Sequence, residues 1–105
     1  MAYLILRYNL KDGVTAAQFE QWVRETDQPA MRGLKRVESF NTYRVTGLLM
    51  GEGEAAQRYF EIFEISDLAG FTGDDMPGET VQAIMGAFMQ MVDNPNSISL
   101  NGFRA

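Results

Sequence analysis

The sequence predicts an α+β fold in the order β-α-β-β-α-β, whose compact solution is a four-stranded antiparallel sheet with both helices on one face. Two patterns point there: four extended apolar segments are interleaved with two stretches of helical period, and the first and third strands are apolar in both registers. A third observation bounds the chemistry, since none of the 105 residues is His or Cys.

Ala2 to Asn9 is an apolar run rich in branched and aromatic side chains, closed by Asp12-Gly13, and reads as a strand and a turn. Thr15 with Gln18 forms a capping-box pattern, and Val14 is placed to staple against Phe19, so a helix starts there. Phe19, Trp22 and Val23 share a face, and Pro29 ends or bends this helix before Ala30 to Leu34 makes another turn. Val37 to about Met50 and Arg58 to Ile65 read as an antiparallel hairpin. Asp67 to Phe71 reads as a short helical turn. Pro77 sits where a first helical residue would, ahead of Val81, Ile84, Met85, Phe88, Met91 and Val92 at helical spacing. Asn94-Pro95 stops that run, and Ser97 to Phe103 alternates as a closing strand. Asn101-Gly102 marks a bulge or a fraying end.

Leu4, Leu6 and Tyr8 point to one side of the first strand, Tyr3 and Ile5 to the other. In the third, Phe60 and Ile62 oppose Tyr59, Phe63 and Ile65. Two helices cover only one face, so the other is expected to pack against a second copy, making a homodimer. Residues 1–105 read as a single domain. The net charge of −5 argues against nucleic acid or an anionic membrane as partner. The apolar run at Met1 to Leu6 is too short to span a membrane and lacks a basic leader, so a cytoplasmic location is expected. Without imidazole or thiol there is no ordinary Ser-His or Cys-His nucleophile, no proximal haem histidine and no nitrogen or sulfur ligand for zinc. No metal and no cofactor is expected.

The segment Phe19-Glu20-Gln21-Trp22-Val23-Arg24-Glu25-Thr26-Asp27-Gln28-Pro29-Ala30-Met31, followed by Val37-Glu38-Ser39-Phe40-Asn41-Thr42-Tyr43-Arg44-Val45, resembles the RedY-like family of prodigiosin pigment clusters. That family lies within the dimeric α+β barrel superfamily, which is ferredoxin-like in topology. The resemblance implies two sheets packed face to face with helices outside, and a small bacterial biosynthetic protein acting on a planar pyrrolic intermediate. Other enzymes of the pathway are the further partners it implies. Relatives often carry His two residues before the Pro; Asp27 stands there in this chain, so a histidine mechanism does not carry over.

Asp27, near Trp22 at the mouth of a sheet-helix cleft, is a candidate acid or base, with a solvated helix-end cap as the plain alternative. Arg7 and Glu61 read as sharing a sheet face, most simply as a structural ion pair, among Tyr3, Ile5, Tyr59 and Phe63. Tyr8 and Glu64 are assigned to the face toward the helices, making Glu64 the second candidate carboxylate; Arg7 or Tyr8 would stabilise developing negative charge. Trp22, Tyr43 and Phe40 are candidates for stacking on a flat heterocycle and Met85 for lining the pocket, although aromatics and Met at such spacings also serve as core. Gly51-Glu52-Gly53-Glu54-Ala55-Ala56 matches a dinucleotide fingerprint only as a string, because it joins two antiparallel strands and its acids would repel a pyrophosphate.

The leading functional reading is cofactor-independent proton transfer, as in enolisation, cyclisation or condensation, on a small planar ligand. One alternative is a non-catalytic carrier that hands an unstable intermediate to larger enzymes. Another is a cofactor-free monooxygenase of the same superfamily, with Asn9 aligned to a substrate-orienting Asn.

Overall fold

The computed structural model describes residues 1–101. Its strands are β1 (Ala2–Leu10), β2 (Val37–Arg44), β3 (Tyr59–Ile65) and β4 (Val92–Asn101). They form one sheet in the order β2-β3-β1-β4, with antiparallel pairing at each junction. The fold is therefore α+β with ferredoxin-like βαββαβ order. No helix among the described residues is long and apolar enough to cross a membrane.

The first helical segment comes in three parts: α1 (Ala16–Trp22), a wide π-type turn (Val23–Asp27) and α2 (Gln28–Arg32). Thr15 and Gln18 form the reciprocal capping box that opens α1, and Val14 packs on the cluster containing Phe19. In a continued α-helix Pro29 would lack an N–H for the carbonyl four residues back and its ring would press on it. The wide turn lets the chain pass Pro29 without breaking: the Gln28 N–H bonds Val23 O, five residues back. A short α3 (Leu68–Gly70) leads into a second π-type turn at Phe71–Asp75. The long α4 (Glu79–Met91) then presents Val81, Ile84 and Phe88 to the core. Pro77 lies ahead of α4, not at its first residue, and Gly78 is the N-cap.

Two further boundaries depart from the sequence reading. β2 ends at Arg44, and 45–58 is a connection that Asn9 pins from below, donating to Ala56 O and accepting from the Arg58 N–H. β4 starts directly at Val92, so Asn94-Pro95 lies inside the strand. There Asn94 takes φ 49° next to a register shift opposite Arg7 to Asn9, which absorbs a residue the pairing cannot use. Gly102 and Phe103, assigned to a bulge and a strand end, lie outside the described residues.

The core falls into two groups under the helices. Phe40, Phe63, Ile65, Phe71, Val81 and Ile84 build the first. Tyr8, Phe19, Tyr59, Phe88 and Val92 belong to the second. The Phe40 and Phe63 rings stack at 4.0 Å. Burial of these side chains contributes about 1.5–3 kcal/mol each before entropy is counted, and it fixes the helices over one sheet face only.

Candidate functional site

Register decides which charged groups meet. β1 and β3 pair Tyr8 with Tyr59 and Leu6 with Glu61, while Tyr3 pairs with Glu64 and Arg7 with Phe60. Partners across an antiparallel pair point to the same face. Tyr8, Tyr59 and Glu61 therefore lie under the helices, and Arg7 and Glu64 lie on the opposite, uncovered face. Both expected pairings are corrected: Glu64 does not accompany Tyr8, and Glu61 does not face Arg7. Tyr59 and Phe63 likewise lie opposite Tyr3 and Ile5. Arg7 instead donates to Asn96 Oδ1 across to β4 at 3.0 Å.

The carboxylate that shares the helix-side face is Glu61, only 3% exposed, and the group above it is Asp27, 2% exposed. Asp27 is the last residue of the π-type turn. Its side chain caps no helix end. Two buried acids so close cannot both be charged cheaply. Burial pushes Asp27 up to about 7, partly offset by a hydrogen bond from Glu61. Glu61 is raised well above the ordinary range, first by burial and then by the charge of Asp27. The two carboxyls thus titrate as one coupled unit that holds a shared proton above the ordinary carboxylate range. Tyr8, fully buried, lies beside them, its acidity suppressed by burial and by the two carboxylates. Its ring is clamped by Tyr59 stacked at 5.8 Å and by Phe88 edge-on at 4.8 Å. Tyr8 Oη and Asp27 Oδ2 are buried with no hydrogen-bond partner among the described residues, an expensive arrangement for plain core.

An open cleft of about 420 Å³ lies between the first helical segment and the ends of β2 and β3, and Asp27, Glu61 and Tyr8 sit behind its lining, not in it. Its floor contains Val23, Gln28, Thr42 and Tyr59. Gln28 follows Asp27 in the chain and Thr42 is the cross-strand partner of Glu61. The Gln28 Nε2 to Thr42 Oγ1 hydrogen bond, 2.9 Å, therefore spans the roof of the carboxylate pair. At one end Glu20 accepts from Tyr59 Oη at 2.7 Å and from the Arg44 guanidinium. These bonds hold the Glu20 carboxyl below its ordinary value.

The expected ring-holding residues are not assembled around this cleft. Phe40 is core, 1% exposed, and Trp22 packs beside Phe19 against both core groups. Tyr43 pairs with Phe60 and so lies on the uncovered sheet face. Met85 is 39% exposed on the outside of α4, not on its apolar face. Asn9, aligned with a substrate-orienting Asn, has its amide engaged by the 45–58 connection. The sequence reading passed over Gln28, Thr42 and the role of Glu61. The available signal was Glu61 in phase with Tyr59, Phe63 and Ile65, a charge within a buried alternation. Among the described residues no cluster of three or more acids could hold a metal ion.

Comparison with solved structures places the geometry in context. HapK from Hahella chejuensis is 27% identical, with a TM-score of 0.81 over 100% of this chain and 95% of that one. A dimeric ferredoxin-like protein of unknown function from Thermobifida fusca is 16% identical, TM-score 0.70, over 94% and 88% of the two chains. SnoaB, a cofactor-independent oxygenase from Streptomyces nogalater, is 12% identical, TM-score 0.73, over 99% and 89%. The last two share the fold alone. No curated protein matches the chain. The family model for REDY-like protein HapK matches residues 2–102, and the chain belongs to that family.

Proposed function

We propose that this protein binds a small planar heterocyclic intermediate of a prodigiosin-type pigment pathway in the cytoplasm and moves a proton on it without a cofactor. Membership of the REDY-like HapK family supports a small biosynthetic protein. The observation that carries the chemistry is the buried Asp27–Glu61 pair with Tyr8 beneath the cleft floor. A carboxyl group titrating near neutrality serves equally as proton acceptor and donor. In the proposed step the Asp27 carboxylate takes a proton from the bound ring while the electron pair stays in the ring system. Glu61 compensates by hydrogen bonding, and the proton returns at another ring atom, leaving the overall change redox-neutral. Tyr8 offers its hydroxyl proton to negative charge that develops, and the Gln28–Thr42 bond must loosen to admit the ring. The uncovered sheet face, carrying Tyr3, Ile5, Phe60, Ile62, Ile98 and Leu100, packs against a second copy of the chain.

Deletion of the gene in its host, identification of the compound that accumulates, and incubation of that compound with purified protein test this reading. Conversion by the wild type, a loss of about 10²-fold or more in Asp27→Asn and Glu61→Gln, and full rate in Glu64→Gln are expected. Binding of the compound without conversion would make the protein a carrier, and full rates in both buried-acid variants would remove the carboxylate pair from the mechanism.

A further inference from the structure

The cleft has a charge opposite to that of the molecule. The chain carries −5 overall, yet the cleft is lined by Arg24, Arg32 and Arg44 against the one acid Glu20. Arg44 is neutralised by Glu20. Arg32 is held in place by neutral acceptors, with Nε on Phe40 O and Nη2 on Asn41 Oδ1, each at 3.0 Å. Its positive charge is therefore held in position with no ion-pair partner among the described residues, and Nη1 is left to donate. Arg24 makes no hydrogen bond or ion pair among the described residues, although it contributes to holding Glu20 ionised. Glu20, Arg24, Gln28 and Arg32 all line the cleft from the first helical segment, with Arg24 four residues before Gln28 and Arg32 four residues after it, so the two guanidiniums flank Gln28 from either end. Gln28 supplies an independent observation: it is 8% exposed, its amide nitrogen is spent on Thr42, and Oε1 has no partner among the described residues. A buried acceptor without a donor is a costly feature that a ligand donor would satisfy.

We propose that the cleft selects an anionic planar ring that carries an N–H, its carboxylate seated between Arg24 and Arg32 and its ring N–H donated to Gln28 Oε1. This assignment rests on the proton-transfer reading for its location and adds the charge and donor pattern of the ligand. Guanidinium and carboxylate match as forked donor and acceptor. The ring then lies in the cleft against Val23 and Tyr59, with its edge toward the Gln28–Thr42 bond that roofs Asp27 and Glu61.

Titration calorimetry with three small probes tests it: pyrrole-2-carboxylate, its uncharged carboxamide, and furan-2-carboxylate, which lacks the N–H. The acid should bind about tenfold or more tighter than the carboxamide, and Arg24→Gln or Arg32→Gln should erase most of that preference. Pyrrole-2-carboxylate should exceed furan-2-carboxylate by about five- to tenfold, and Gln28→Leu should equalise the two. Acid and carboxamide binding alike, no binding of any probe, or a preference for the acid that survives both arginine substitutions overturns the proposal. Asp27→Asn and Glu61→Gln separate the two readings: they should retain the probe preferences even though they slow conversion by about 10²-fold or more. Retained preferences with unimpaired conversion would sink the mechanism and leave the anion site standing.

Discussion

Between pH 5 and pH 8 the folded protein should lose stability as pH rises, and Asp27→Asn and Glu61→Gln should each flatten that loss. Asp27 moves from an ordinary 3.8 to about 7 because burial strips water from its charged form. Each pKa unit corresponds to about 1.36 kcal/mol, so ionising the coupled pair through Asp27 costs the native state on the order of 4 kcal/mol relative to the unfolded chain. A domain of this kind has roughly 5–15 kcal/mol in total, which makes the effect large enough to measure. The sign follows from proton counting. Above about pH 4 an unfolded Asp is ionised, whereas the native state keeps its proton until pH approaches the raised value. The native state therefore binds more protons over this interval, and its stability falls by up to about 1.4 kcal/mol per pH unit for this group. Glu61 is also raised and adds a loss of the same sign. Glu20 acts in the opposite sense, but a lowered carboxyl has its stabilisation largely in place above its ordinary 4.5. A window opening at pH 5 therefore isolates the buried pair. Urea unfolding followed by Trp22 fluorescence and circular dichroism, at one protein concentration and at several pH values across the window, gives the slope. A wild-type curve that is flat there, or variants that keep the wild-type slope, would refute the shared-proton description.

Two structural predictions complete the set. Ile62→Lys places a charge in the middle of the uncovered sheet face, where Ile62 faces Ile5 across the ladder. It should convert a sedimenting dimer to monomer without loss of helix content by circular dichroism, and an unchanged sedimentation coefficient would count against the face as the dimer surface. At Gly70 a β-carbon would overlap the Asp67 carboxylate and the Arg36 guanidinium, which form an ion pair there. Both groups are the far ends of flexible, partly exposed side chains, so Gly70→Ala should displace the pair at a cost of at most about 1 kcal/mol, measured by thermal or urea unfolding; a much larger loss would show that the pair cannot move aside.

Much of the architecture was legible because it depends on local pattern. The capping box at Thr15 and Gln18, the alternation in β1 and β3 and the helical period from Val81 to Phe88 are each decided within a few residues, and together they leave few compact topologies. The site was only half legible. Asp27 stood out through its place before Pro29, but no local pattern revealed the wide turn that carries its side chain inward. That turn arises because Pro29 must be passed while α1 and α2 remain packed on the sheet.

The choice between Glu61 and Glu64 shows where local pattern stops. Within β3 the alternation already groups Glu61 with Tyr59, Phe63 and Ile65, yet which face of β1 that group joins depends on the register between strands about fifty residues apart. A slip of one residue would exchange Glu61 for Glu64 beneath the helices. Composition and periodicity established an α+β sheet with one face open and excluded imidazole and thiol chemistry. Only the tertiary pairing brought Asp27, Glu61 and Tyr8 together in one buried place, because their shared proton exists solely where strand register and the bulged helix place the three groups within reach of one another.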